Sequence, residues 1–133
     1  MEIVNPTTLT DKMTSVISQV VVTTASKLAF ISGQVAVDDT GALIGPGDYH
    51  AQAIQTFTNL MHALRAIGAE PLSIAKMNIY VVNHKPELIP IVFNAGYQVF
   101  GTKWSKSAST YIGVQSLADP EWLIEIDAIV IFP

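Results

Sequence analysis

Two helical segments, each closed by a glycine, flank one strongly alternating strand, and this restricts the possible folds more than any other feature of the chain. Ala53, Phe57, Leu60, Met61 and Leu64 recur at i, i+4, i+7, i+8 and i+11 and lay one apolar stripe along a helix. Asp48 stands where an N-cap is needed and Gly68 where the backbone must turn left-handed, so the spacing predicts a helix over 48–67. Within 74–83, Met77, Ile79 and Val81 face one way and Lys76, Asn78 and Tyr80 the other, the period of a strand. Pro86 suits the first turn of a second helix over 86–100, with Pro90 near the end of that turn and Gly101 as the stop.

Short β-branched runs at 19–25 and 28–35, separated by Ala25-Ser26-Lys27, read as a hairpin. Two more strands are expected over 107–116 and 122–132, giving the order β-β-α-β-α-β-β. Each helix joins two strands, and right-handed crossovers put both helices on the same face of a mixed sheet. The expected architecture is a two-layer α+β domain over 1–133, with 1–15 as an extended N-terminal lead.

Composition narrows the function classes. Only 14% of the 133 residues are charged and half are apolar, which argues against disorder. With 7 Lys plus Arg against 11 Asp plus Glu, a phosphate-tracking surface is not expected, and neither is a nucleic-acid partner. There is no cysteine, so disulfides, thiolate metal sites and a cysteine nucleophile are impossible. That is compatible with the cytosol, and a cytoplasmic protein is expected. Apolar runs fall far short of the ~20 residues of a spanning helix, and no secretory signal is expected in 1–15. His50 and His62 are twelve apart, about 120° off a common helix face, and with His84 they form no metal set. No metal site is expected, and surface positions are the default for all three.

Two helices can cover one face of the sheet. The other would collect Lys76, Asn78, Tyr80, Ser109, Tyr111, Gln115, Glu125 and Asp127, with Leu123, Ile129 and Ile131 among them. That mixture is too apolar for water and too polar for a dry core, so a homo-oligomer with polar groups near its interfaces is expected.

Several ordered segments carry a resemblance. Ile31-Ser32-Gly33-Gln34, Asp38-Asp39-Thr40-Gly41, Gln52-Ala53, Asn59, Gly68, Asn94-Ala95-Gly96-Tyr97 and the closing Leu123-Ile124-Glu125-Ile126-Asp127-Ala128-Ile129 together resemble the Rid (YjgF/YER057c) superfamily over about 15–132. The resemblance implies a chorismate-mutase-like fold, a homotrimer and small-molecule clefts between neighbouring subunits. It also implies hydrolysis of reactive 2-enamines and 2-imines to 2-keto acids and ammonia, without metal or organic cofactor. In the family an Arg on the strand before the last grips the substrate carboxylate, in a motif near Pro-Ala-Arg-Thr/Ser. Here that segment reads Ser107-Ala108-Ser109-Thr110-Tyr111, with Ser109 at the Arg position; Gln19 stands about where a Tyr is common, and Arg65 is the only arginine. Losing a charged partner of a bound carboxylate costs about 2–5 kcal/mol, so a neutral or differently charged small ligand fits better.

Glu125 and Asp127 are two apart and share a strand face; the resemblance makes Glu125 the candidate for proton handling and leaves Asp127 structural. Ser109 is a candidate ligand donor and a weaker candidate nucleophile, since no His is placed to activate it as in a triad. Gly33 is a candidate for close backbone approach to the ligand. Asn94 borders the cleft by family match, and Tyr80 and Tyr111 are candidate pocket walls with polar tips. Trp104 reads as packing. A non-catalytic binding or regulatory protein of the same fold is the rival reading.

Overall fold

The computed structural model describes residues 1–132. Both helices form close to where the pattern places them. Helix α1 runs Tyr49–Ala66, and the Asp48 side chain accepts a hydrogen bond from the Ala51 amide at 3.0 Å, as an N-cap should. Gly68, just past its end, has φ of 71°, a conformation costly to any residue with a side chain. Helix α2 runs Leu88–Phe100 and stops at Gly101, whose φ is 57°. It begins two residues later than the pattern suggests, which leaves Pro90 inside the first turn, where no helical N–H is lost.

The strands are β1 (Glu2–Val4), β2 (Val20–Val22), β3 (Lys27–Gln34), β4 (Ile74–Val82), β5 (Ala108–Val114) and β6 (Ile124–Phe132). The main sheet has the order β3-β6-β4-β5. Within it β6 runs antiparallel to both β3 and β4, and β5 runs parallel to β4 through the α2 crossover. Together the elements make a YjgF-like, chorismate-mutase-like α+β sandwich with a mixed sheet.

One pairing departs from the sequence reading. The runs at 19–25 and 28–35 do not form a hairpin. β2 pairs with β1, placing Ile3 opposite Val21, while β3 pairs with β6. The physical reason is competition: an apolar strand gains more beside the buried β6 than beside a three-residue neighbour, and β2 takes β1 as its partner instead.

The core lies between the sheet and the helices. Phe57, Leu60 and Leu64 of α1, Val92 and Phe93 of α2, Ile79 and Val81 of β4, and Ile124, Ile126 and Val130 of β6 are all buried. Each large apolar side chain so placed contributes about 1.5–3 kcal/mol. Trp104 is buried against Phe57, Phe93, Tyr97 and Phe100, which supports its reading as packing. The opposite face of the sheet is uncovered, with Leu28 at 53% and Phe30 at 73% exposure. Among the described residues no helix is long and apolar enough to cross a membrane.

Two polar side chains, buried Gln52 and half-buried Asn59, tie the loops to α1. Gln52 is fully buried; its Nε2 donates to the carbonyls of Gly45 (3.1 Å) and Glu121 (3.0 Å), and its Oε1 accepts from the Leu123 amide (2.9 Å). Asn59 Nδ2 donates to the carbonyls of Val35 (2.8 Å) and Val37 (2.7 Å). Gln52 therefore sets where β6 begins, and with it the position of Glu125.

Candidate functional site

The outer sheet face gathers one group of polar residues. Antiparallel pairing sets Glu125 opposite Tyr80 and Asp127 opposite Asn78. Asn78 Nδ2 donates to Asp127 Oδ1 at 2.8 Å, and the Tyr80 hydroxyl donates to Oδ2 at 3.1 Å. Both Asp127 oxygens are thus occupied, the arrangement of a structural carboxylate. The Tyr80 phenol is pushed above its usual value, first by that hydrogen bond, then by burial and by the charges of Asp127 and Glu125.

Glu125 is in a different position. Its carboxyl holds its proton more tightly than an ordinary glutamate, chiefly because of burial and secondarily because of Asp127. It lies against Gly33, where β3 carries an irregularity between Ile31 and Gln34. A Cβ built on Gly33 would fall 2.7 Å from Glu125 Cδ and 2.9 Å from Cγ. Glycine here is the space in which the carboxylate sits. A carboxyl of raised pKa beside an open stretch of backbone, on an uncovered face, can take up and return a proton.

A second group lies at the β5 edge, on the helix side. Register sets Ser109 opposite Met77 and Tyr111 opposite Ile79, so both side chains share the inward face of β4. The Ser109 hydroxyl donates to the Ser107 carbonyl at 3.2 Å, and the Ser107 hydroxyl oxygen lies 2.9 Å away. The Tyr111 ring stacks on Phe93 at 5.9 Å and 20°. Its hydroxyl lies 3.3 Å from His84 Nδ1, and burial, with a lesser contribution from Tyr49, pushes the phenol up to about 12. Asn94 is exposed on α2.

Ser109 and Tyr111 therefore do not lie on the outer face with Glu125, as the alternation read from sequence suggested. Thr110 and Ile112 take that face, opposite Asn78 and Tyr80, and Lys76 Nζ donates to Thr110 Oγ1 at 2.9 Å. The shift is one residue of parity, which exchanges the two faces of a strand. Leu123 precedes β6 and is not part of its face. Within one protomer the structure brings Gly33, Tyr80 and Glu125 together. It places Ser109 and Tyr111 two strands away and on the other side of the sheet.

Two lysines are already engaged: Lys103 is paired with Glu70, and Lys76 is held by Thr110. Gln19 is held by the N-terminal segment: its amide donates to Asn5 Oδ1 (2.8 Å) and its Nε2 to the Thr10 carbonyl (2.7 Å). Sequence reasoning missed His84, left at the surface by default and found half-buried against Tyr111. No local spacing could have found it, because the partners are 27 residues apart and meet only when β5 is laid beside β4. Among the described residues no group of three or more His, Asp or Glu is placed to hold a metal ion.

This mixed four-stranded sheet, with two helices on one face, is shared by known proteins. The model of the Endoribonuclease L-PSP family matches residues 11–132. YyfB from Yersinia pestis, a Rid-family protein of unknown function, is 35% identical over 98% of both chains, with a TM-score of 0.89. A putative endoribonuclease from Thermotoga maritima is 26% identical over 87% of this chain and 86% of that one, at a TM-score of 0.69. The YjgF gene product of E. coli is 28% identical over 87% of both chains, at a TM-score of 0.67. No curated protein matches the sequence. The chain belongs to the Endoribonuclease L-PSP family, within the Rid/YjgF superfamily.

Proposed function

We propose that this protein is a cytoplasmic hydrolase of a small reactive metabolite of the enamine or imine class, built as a homotrimer with its clefts between neighbouring protomers. One protomer offers Gly33, Tyr80 and Glu125 from its outer face; its neighbour offers Ser109, Tyr111 and Asn94 from the β5–α2 edge. Two observations support the shared cleft. The two groups are separated within one chain, and the face bearing Glu125 leaves Leu28 and Phe30 uncovered.

The observation that carries the activity is the Glu125 carboxyl seated over Gly33 with a raised affinity for its proton. Water adds to the C=N carbon as Glu125 accepts one of its protons, forming the C–O bond. Glu125 then passes that proton to nitrogen, giving a carbinolamine; as the C–N bond breaks, the carbinolamine hydroxyl gives up its proton, the same carboxyl carries it to nitrogen, and ammonia leaves behind a carbonyl. The overall change is imine plus water to carbonyl plus ammonia, and it needs only side chains and water. The Ser109 hydroxyl and backbone groups near Gly33 orient the substrate, and Tyr111 walls the pocket.

A non-catalytic binding or regulatory protein is the second reading, favoured by one observation: Ser109 is engaged with Ser107, and no guanidinium stands there. A single assay separates the two. An amino-acid oxidase generates 2-imino acids, semicarbazide traps what remains, and the protein competes for them. Turnover that falls at least ~100-fold in Glu125→Gln supports the hydrolase. Saturable ligand binding without turnover, in wild type and in Ser109→Arg, supports the binder and overturns the hydrolase.

A further inference from the structure

The β5 edge carries a contact, His84 against Tyr111, that the proposed chemistry does not use. His84 follows Asn83, whose φ of 48° turns the chain out of β4 and swings the imidazole back over β5. The rings of His84 and Tyr111 meet edge-on at 5.0 Å and 72°, with Nδ1 3.3 Å from the hydroxyl. Gly113, two residues along β5, leaves the room: a Cβ there would lie 2.9 Å from His84 Cβ. The Tyr111 ring also stacks on Phe93. Packing therefore holds both rings, and the hydrogen bond joins them into one unit.

The direction of that bond decides what Tyr111 presents. The ring tautomer sets that direction: with the His84 hydrogen on Nε2, the Tyr111 hydroxyl donates its single hydrogen to Nδ1. With the hydrogen committed, the phenolic oxygen has only lone pairs to offer a ligand. It becomes an acceptor. Its neighbours Ser107 and Ser109 are uncharged hydroxyls already bonded to each other. A wall made of these groups has no cation to meet a carboxylate.

We propose that His84 carries its ring hydrogen on Nε2 and is a specificity-determining positioning residue. By holding the Tyr111 hydroxyl hydrogen, it makes the β5 wall select uncharged ligands bearing an N–H or NH2 group over carboxylates. This rests on the cleft reading above and names the substrate class of that site: carbonyl or imine compounds whose neighbouring group is an amide rather than an acid. An acceptor matched to an N–H donor discriminates by the cost of a lost or repulsive contact.

The test uses pyruvamide and pyruvate, near-isosteres that differ in the amide for the carboxylate, titrated into the full chain by amide-resolved NMR. Wild type is expected to bind pyruvamide at least ~10-fold more tightly than pyruvate. His84→Asn keeps an acceptor oxygen close to the Nδ1 position and retains the preference. His84→Phe frees the hydroxyl hydrogen to serve a carboxylate, and Tyr111→Phe removes the oxygen; both bring the two affinities to within ~3-fold. Thermal unfolding of the variants separates selectivity from folding, and Tyr111→Phe carries the test should His84→Phe fail to fold. Equal affinities in wild type, or a preference untouched by His84→Phe and Tyr111→Phe, overturn the assignment. If a probe shifts signals at Ser109 and Glu125 while the preference is absent, the cleft stands and the role of His84 falls. If neither probe shifts them, the cleft reading falls and takes this assignment with it.

Discussion

Gly33→Ala separates the position of Glu125 from the stability of the fold. The new methyl would lie 2.7 Å from Glu125 Cδ and 2.9 Å from Cγ, well inside contact distance, so one of the two must move. Gly33 does not have a positive φ, so the backbone accepts alanine without strain. The Glu125 side chain is the mobile partner. Displacing it costs about 0.5–1.5 kcal/mol of rotamer energy. Replacing glycine by alanine restricts the unfolded chain and returns about 0.4–1 kcal/mol. The net change in stability is within about 1 kcal/mol, a shift of a few degrees in Tm. The carboxyl itself changes more. Burial is the main reason its pKa is raised, and a carboxyl driven outward loses that cause. Titration of the Glu125 carboxyl carbon by NMR is expected to move down toward an ordinary glutamate in Gly33→Ala, and imine hydrolysis to fall by about 100-fold or more. A variant that loses more than about 3 kcal/mol, or one whose Glu125 titrates as in wild type, would refute the reasoning.

Four further outcomes follow from the same structure. A carboxyl whose folded pKa lies above its unfolded value binds protons better when folded, so it penalises the ionised folded state at neutral pH. Wild type is therefore expected to gain stability relative to Glu125→Gln as pH falls through the raised folded value toward the ordinary carboxylate range, as read by urea denaturation; the opposite slope rules this out. Hydrolysis that uses the Glu125 carboxylate as base rises with pH through that same raised value. Gln52→Leu removes hydrogen bonds at 2.9, 3.0 and 3.1 Å from a fully buried site and is expected to cost about 3–5 kcal/mol by denaturant unfolding. A loss under about 1 kcal/mol would show that the clamp does not hold the β6 entry. Phe30→Glu changes a side chain that is 73% exposed, so the protomer folds as before, while light scattering reports a lower assembly mass if copies cover the outer face.

The period of 3.6 in α1, the caps Asp48, Gly68 and Gly101, and the period of 2 in β4 are local signals, and each element formed where its signal lay. Glu125 and Asp127 sharing one face of β6, with Ile124, Ile126 and Val130 buried on the other, follows from alternation alone. The family was legible too, because motifs scattered from Gly33 to Asp127 keep their order. What the chain could not declare locally was pairing. β5 reads Ala-Ser-Thr-Tyr-Ile-Gly-Val, with no apolar alternation to say which face is inward. Its parity was decided by register against β4, and that sent Ser109 and Tyr111 inward. The choice of β1 for β2, and of β6 for β3, was likewise a contest between partners distant in sequence. The contact of His84 with Tyr111 exists only because α2 carries the chain across to lay β5 beside β4. Local periodicity determined the elements and the face of each strongly patterned strand. Long-range hydrogen-bond register, which no short window of sequence encodes, decided which side chains share a wall.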